Sequence, residues 1–301
     1  MHDLIITGCG PAGITAAIYA ARKKIDLLVI SNDIGGQAAW SGDVENYTGY
    51  QFISGPELAA KFQEHMLGYN IPVKLNEQVR ELKKIGNKIV VATDKGEYES
   101  RVAIIASGKR TRELNVPGEK EFKNKGLTYC ATCDAPIFSG KDVAVIGGGN
   151  SALDATLQLI KIAEHIYLIN ITERLGGDPV MRESAEKSEK VTVMNNAIVT
   201  GIIGDKFVSG IKVLRLGKEE ALAVQGVFVE IGLLPNSEFA REVKKNQLQE
   251  IKINTHNETN IPGIFAAGDV TDIPEKQIII AAGEGSKACL SAFRYLVQHR
   301  F

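Results

Sequence analysis

The sequence predicts an α/β protein built from two similar domains, the second inserted into the first. Three observations predict it. Residues 3–21 and residues 142–160 share one grammar: a short apolar run, a glycine-rich turn and a segment of helical period. Each is followed by another apolar run, Leu27–Ile30 and Ile166–Ile169, which completes a βαβ unit. Two more apolar runs, Val102–Ala106 and Ile264–Ala267, end at Ser107-Gly108 and Gly268-Asp269, as parallel strands do when they run into a ligand-facing turn.

The first unit opens with Leu4-Ile5-Ile6-Thr7 and then Gly8-x-Gly10-x-x-Gly13, with Pro11 and Ala12 inside the motif. In such a turn the first glycine bends the chain tightly. The second lets the backbone approach a pyrophosphate, and the third lets helix and strand pack closely. The second unit opens with Asp142–Ile146 and carries Gly147-x-Gly149-x-x-Ala152. Two such turns predict Rossmann-like, three-layer ββα dinucleotide-binding domains, the second turn being the candidate pyridine-nucleotide site. The acid expected about 20 residues on is missing from both units. Ser31-Asn32-Asp33 and Asn170-Ile171-Thr172-Glu173 stand there instead.

Lys88–Thr93 and Glu97–Ala103 around Asp94-Lys95-Gly96 predict a hairpin. Val208–Arg215 predicts another small strand. Polar Arg110–Gly118, with Pro117-Gly118, reads as a linker out of the first domain, and the return crossing falls near Leu234-Pro235-Asn236. The expected domains are residues 1–112 with 243–301, and residues 116–239, with hinges near 110–118 and 234–242.

Composition is that of an ordinary globular chain: 301 residues, 44% hydrophobic and 24% charged, with net charge −1. That balance gives no bulk attraction to nucleic acid or to an anionic membrane. No apolar run approaches the roughly 20 residues needed to span a bilayer, and Met1-His2-Asp3 lacks the basic start of a signal peptide. The expected location is cytoplasmic, where four cysteines read as free or redox-active.

Cys130-Ala131-Thr132-Cys133 has the spacing of a reversible disulfide. Zinc uses the same spacing but needs four ligands. Cys9 and Cys289 are isolated and no histidine lies near the pair, so no metal is expected. Asp134 adjoins the pair and can supply the proton that a leaving thiolate needs. Cys9 and Cys289 read as small packed residues.

These residues, in this order, resemble the low-molecular-weight bacterial thioredoxin reductase family over nearly the whole chain. Carrying the likeness are Gly-x-Gly-Pro-Ala-Gly, Gly35-Gly36-Gln37, Val44-Glu45-Asn46, Cys-Ala-Thr-Cys-Asp, Gly-Gly-Gly-Asn-Ser-Ala, the segment 263–269 and Lys276-Gln277-Ile278. From about Gly226 onward the chain also resembles the flavoprotein component of alkyl hydroperoxide reductase.

The resemblance implies a homodimer with FAD in the discontinuous first domain. It assigns FAD to Gly8, Gly10, Pro11, Ala12, Gly13, Gly36, Gln37, Asn46, Val79, Gly108, Gly268, Asp269, Lys276, Gln277 and Ile278. It implies that Cys130 attacks a thioredoxin-like substrate, that Cys133 faces the flavin, that Asp134 is the acid, and that the inserted domain rotates on the two crossings. NADPH-dependent members carry a His-Arg-Arg cluster after the second strand of the inserted domain. Here Asn170-Ile171-Thr172 stands in its place, with Arg174 and Arg182 at other spacings. Some members, in anaerobic clostridia and related organisms, take electrons from ferredoxin, and the missing cluster fits that subgroup.

The expected function is therefore a FAD-dependent thioredoxin-disulfide reductase whose donor is ferredoxin before NADH, and NADH before NADPH. Two alternatives stand beside it: an NADH-dependent disulfide reductase serving a peroxiredoxin or glutaredoxin-like partner, and a non-catalytic redox-sensing flavoprotein.

Overall fold

The computed structural model describes residues 1–41 and 43–299, the side chains of Asp43, Thr132 and Cys133 excepted. The chain divides into two compact units, Met1–Arg110 with Leu234–Phe301, and Thr111–Leu233. The crossings run as two short strands, Lys109–Thr111 and Leu233–Pro235, which pair with each other.

In the first unit the strands lie in the order Val73–Leu75, Leu27–Ser31, His2–Thr7, Glu97–Ile105, Lys88–Thr93 and Val79–Ile85, with Ile264–Ala266 also paired to Glu97–Ile105. The strands around His2–Thr7 are parallel, and the last three in the order are antiparallel. Strand alternation sends Leu4 and Ile6 to one face and Ile5 to the other. Leu4 and Ile6 pack under the helices Pro11–Arg22 and Ile278–Gln298 with Ala16, Ala20, Ala288 and Cys289. Ile5 packs with Leu28, Ile105, Leu82 and Val91 below the antiparallel strands. Being buried on both faces is why this run is apolar throughout. Each fully buried Leu or Ile contributes about 1.5–3 kcal/mol.

The hairpin arm and the parallel strand, read separately from the sequence, are one strand, Glu97–Ile105. Its first half pairs antiparallel with Lys88–Thr93, and most of its length pairs parallel with His2–Thr7. The return crossing is also shorter than the 234–242 hinge expected. Ala240 and Val243 are buried in the first unit's core, and the Leu82 N–H donates to the Phe239 carbonyl at 3.0 Å. Burial of those side chains brings this stretch into the unit.

The second unit repeats the plan. Its parallel sheet runs Leu127–Thr128, Gly226–Val229, Asp142–Ile146, His165–Ile169 and Val191–Met194. One face, with Val143, Val145 and Leu168, packs with Leu153, Leu159 and Ala185 of the helices Asn150–Ile160 and Pro179–Lys187. The other, with Ala144, Ile146 and Val229, packs on the antiparallel strands Ala197–Gly204 and Val208–Arg215, which a third strand, Lys218–Leu222, extends.

Candidate functional site

The first glycine turn sits at the carboxyl end of the parallel sheet, between His2–Thr7 and the helix Pro11–Arg22. Pro11 opens the helix and supplies its fixed φ. A Cβ placed on Gly13 would lie 2.0 Å from the Gly8 carbonyl oxygen, so helix and strand touch there and only glycine fits. Gly10 differs: its nearest neighbours would be the Gly35 oxygen at 3.9 Å and the Gly36 Cα at 4.0 Å. The Cys9 N–H donates to the Ser31 hydroxyl at 3.1 Å, which ties the turn to the end of the second strand.

Residues from both ends of the chain meet around this turn. Gly268, at φ +76, places its α-carbon where a Cβ would lie 3.0 Å from the Ala12 side chain and 3.5 Å from that of Ala281. It is thus wedged between the starts of the two long helices. Neither helix has a side-chain cap at its N-terminus. Asp269, the next residue, accepts no hydrogen bond among the described residues, and burial raises its carboxyl, opposed by Lys276 and Lys109. Asn46 donates to the Gln277 side chain at 3.0 Å, and Ile278 opens the C-terminal helix. Gln37 donates to the Lys109 carbonyl at 2.5 Å, the residue after Gly108. Lys276 donates to the Thr271 carbonyl at 2.5 Å and pairs with Glu250 at 3.2 Å, and Lys109 pairs with the same carboxylate at 2.8 Å. The sequence reading passed over Lys109 and Glu250, which carry no local motif.

Val79 is not hydrogen-bonded into this cluster. It heads the strand Val79–Ile85, and the chain two residues before it is tied to the second strand by the Glu77 N–H on the Ser31 carbonyl at 3.3 Å. Two uncapped helix starts, an open face at Gly10 and an unbonded, half-buried carboxylate fit a dinucleotide. The helix ends match its diphosphate and Asp269 matches a hydroxyl donor of the sugar chain.

The second glycine turn is tied to the loop that follows the second strand, while a Cβ on Gly149 would meet nothing within 4 Å. The Gly176 N–H donates to the Gly148 carbonyl at 2.7 Å, and the Asp178 N–H donates to the Asn150 side chain at 2.7 Å. Gly147 bends the turn at φ +142, Gly149 is the residue before the helix, and Ala152 is fully buried beneath it. Asn170 is 2% exposed and donates to Asn195 at 2.8 Å and to the Thr172 carbonyl at 3.1 Å. Arg182 is turned to the Leu175 carbonyl at 3.4 Å, while Glu173 and Arg174 are exposed. Arg215 donates to the carbonyl of Asn195, Asn170's partner, at 3.2 Å, and Thr172 donates to the Arg174 carbonyl at 2.8 Å.

The CxxC lies on the helical turn Ala131–Asp134 that follows Leu127–Thr128. Cys130 is disulfide-bonded, whereas Cys9 and Cys289 are free and buried. The Cys133 side chain lies outside the described residues. Thr128 organises the turn: it accepts the Cys130 N–H at 3.1 Å and donates to the Asp134 carboxylate. Beside Cys130 is a cavity of about 260 Å³ lined by Tyr129, Ala131, Ser151, Asp154 and Glu230. Burial pushes the Glu230 carboxyl up to about 7, the Ala131 N–H opposes that shift, and Asp154 adds to it. A larger hollow of about 410 Å³, around Leu157, Lys161 and Ser188, holds neither thiol nor acid. Sequence reasoning missed Glu230, Asp154 and Thr128. Only the end of the Gly226–Val229 run hinted at the first.

Two Rossmann-like ββα units, one whose glycine turn fits a dinucleotide and the other carrying a disulfide-bonded CxxC cysteine, define a two-domain flavoprotein oxidoreductase. The chain belongs to the pyridine nucleotide-disulphide oxidoreductase family, whose pattern matches residues 2–285. FAD is its cofactor.

Among curated relatives it is 41% identical over 300 residues to an NADH dehydrogenase of Bacillus subtilis, covering 99% of this chain and 59% of that protein. It is 39% identical over 302 residues to an alkyl hydroperoxide reductase component of Staphylococcus aureus, covering 99% and 60%. The chain thus spans about 60% of the length of these relatives. Among solved structures, Lactococcus lactis thioredoxin reductase matches with TM-score 0.83 and 33% identity, over 99% of this chain and 100% of that one. A ferredoxin-flavin thioredoxin reductase of Clostridium acetobutylicum matches with TM-score 0.55 and 29% identity, over 99% and 98%.

Proposed function

We propose that this protein is a FAD-dependent reductase of a thioredoxin-like protein disulfide, working through Cys130 and Cys133. The observation that carries this reading is the disulfide-bonded Cys130 at the carboxyl edge of the second unit's sheet, with carboxyl groups beside it. The first unit holds FAD through the residues around Gly10 and Gly268, and the second carries the dithiol. Bound FAD supplies an electron pair.

Within the protein, Cys130 as thiolate attacks the substrate disulfide. A bond forms between Cys130 and one substrate sulfur, and the substrate S–S bond breaks. The departing thiolate takes its proton from Asp134, which the Thr128 hydroxyl holds on the same turn. Asp134, now a carboxylate, takes the proton of the Cys133 thiol; the Cys133 thiolate attacks the Cys130 sulfur, the Cys130–substrate bond breaks, and the second substrate thiolate takes a proton from solvent, releasing the reduced substrate. The substrate gains two electrons and the dithiol loses two. Loss of thioredoxin turnover in Cys133→Ser, with FAD content unchanged, is the expected result; surviving turnover refutes the route.

For the donor we favour ferredoxin over NADH, and NADH over NADPH. Two features support this order: Asn170-Ile171-Thr172 stands in place of a His-Arg-Arg run, and the fold is similar to that of a ferredoxin-flavin thioredoxin reductase. A homodimer in the cytoplasm completes the reading. No helix among the described residues is long and apolar enough to cross a membrane. The likeness to the alkyl hydroperoxide reductase component favours a second reading, in which the partner is a peroxiredoxin or glutaredoxin-like protein. Turnover on each partner type separates the two.

A further inference from the structure

We propose that Glu230 is a positioning residue that makes the reactivity of the Cys130 thiol depend on pH, through its carboxyl group in the cavity both residues line. The proposal rests on reading Cys130 as a redox thiol.

The geometry begins in the sheet. Leu127–Thr128 and Gly226–Val229 are neighbouring parallel strands, with Thr128 opposite Phe228. Both end at the same edge, so the residues that follow, Tyr129-Cys130 and Glu230, emerge side by side. Glu230 is fixed there by its own N–H, which donates to the Ile146 carbonyl at 2.8 Å. Its carboxylate accepts the N–H of Ala131, the residue next to Cys130. The side chain therefore grips the turn that carries the thiol.

The charges around Glu230 are all of one sign or neutral. Asp154 and Ser151 face it from the helix Asn150–Ile160. Tyr129 and Cys130 face it from the preceding strand's end, and the Tyr129 hydroxyl is given to Glu119 at 2.7 Å. Asp134, on the same turn, accepts from Thr128. Among the described residues no lysine, arginine or histidine lines the cavity. Burial, with Asp154 adding to it and the Ala131 N–H opposing it, raises the Glu230 carboxyl to about 7.

Two ionisable groups in one cavity titrate as a pair. Below about pH 7 Glu230 is neutral and leaves the thiol free to ionise. Above it, the carboxylate opposes a second negative charge on the Cys130 sulfur and raises the thiol's own pKa.

The test uses the full FAD-loaded chain carrying Cys133→Ser, which removes coupling between the two thiols. The rate of iodoacetamide labelling at Cys130 is followed by peptide mass spectrometry from pH 5 to pH 10. The expected profile has two inflections, the lower near 7. Adding Glu230→Gln should leave one inflection and raise labelling at pH 8 about three- to tenfold, since one pKa unit is a factor of ten in thiolate. Glu230→Asp should keep two. Unchanged flavin content and circular dichroism show that the Gln variant is folded. Superimposable profiles with and without Glu230→Gln overturn the proposal while leaving the redox reading intact. A Cys130 that labels at no pH overturns both.

Discussion

The backbone N–H of Asp178 donates to the side-chain oxygen of Asn150 at 2.7 Å. With the Gly176 N–H on the Gly148 carbonyl, this folds the loop after the second strand onto the second glycine turn. Asn170, where the family resemblance implies phosphate-binding arginines, has its amide bonded within the unit. A charged hydrogen bond is worth about 1.5–3 kcal/mol, so losing two arginines removes the whole preference for the 2′-phosphate. NADPH should bind no more tightly than NADH by calorimetry, with dissociation constants within about threefold. NADPH binding ten times tighter than NADH contradicts this.

Two glycines of the first turn should behave differently. At Gly13 a Cβ would lie 2.0 Å from the Gly8 oxygen, and the clash is with backbone. Gly13→Ala should lower the melting temperature and reduce soluble yield. At Gly10 the nearest protein atom stands 3.9 Å away, so Gly10→Ala should fold normally and lose FAD. The ratio of flavin to protein absorbance, read beside the thermal melt, separates the two outcomes.

What was legible beforehand followed chain-local rules. Leu4 to Thr7 and Val143 to Ile146 are buried runs ended by glycine turns, and both are parallel strands as read. The family's residues around Gly10 and Gly268 do come together, because the parallel strands Ile264–Ala266 and His2–Thr7 both pair with Glu97–Ile105. Not legible was anything made by pairing distant segments. Glu230 reaches Ala131 only because Gly226–Val229 lies between Leu127–Thr128 and Asp142–Ile146, and strand order cannot be read from a single run. Lys109 and Glu250 meet across 141 residues of sequence for the same reason. The expected 234–242 hinge is wider than the crossing because Ala240 and Val243 are single buried residues in a polar stretch, without the period of a strand or helix.

Glu119 anchors the start of the second unit. It is 2% exposed, and its carboxylate accepts the N–H groups of Leu114 and Asn115 at 2.6 Å and the Tyr129 hydroxyl at 2.7 Å. Removing it leaves the part-buried donors Leu114 and Tyr129 without their partner, each costing about 1 kcal/mol or more. Glu119→Ala should destabilise the protein by about 2–4 kcal/mol in urea unfolding. A change below about 0.5 kcal/mol would refute this role.

Burial pushes the thiols of Cys9 and Cys289 up to about 12 from 9.0. At pH 8 both remain thiols in the folded chain. Iodoacetamide should label neither in native protein, and both after unfolding. The sign for stability follows from proton binding. Below pH 9 the folded and unfolded chains hold the same protons on these groups. Between about pH 9 and 12 the unfolded chain loses them first, so stability falls by about 1.4 kcal/mol per pH unit for each thiol. Cys9→Ala with Cys289→Ala should flatten that alkaline decline; an unchanged decline would show that it has another source.

Electron exchange between the flavin and the Cys130–Cys133 pair is tested most directly by an anaerobic reductive titration. FAD-loaded protein is titrated with dithionite while flavin absorbance and free thiols are followed. A disulfide in exchange with the flavin takes up two electrons of its own. The wild type should consume twice the reductant that Cys133→Ser does before the flavin is fully bleached, and gain two thiols as it does so. Equal consumption by the two proteins, with no thiols gained in the wild type, would contradict it.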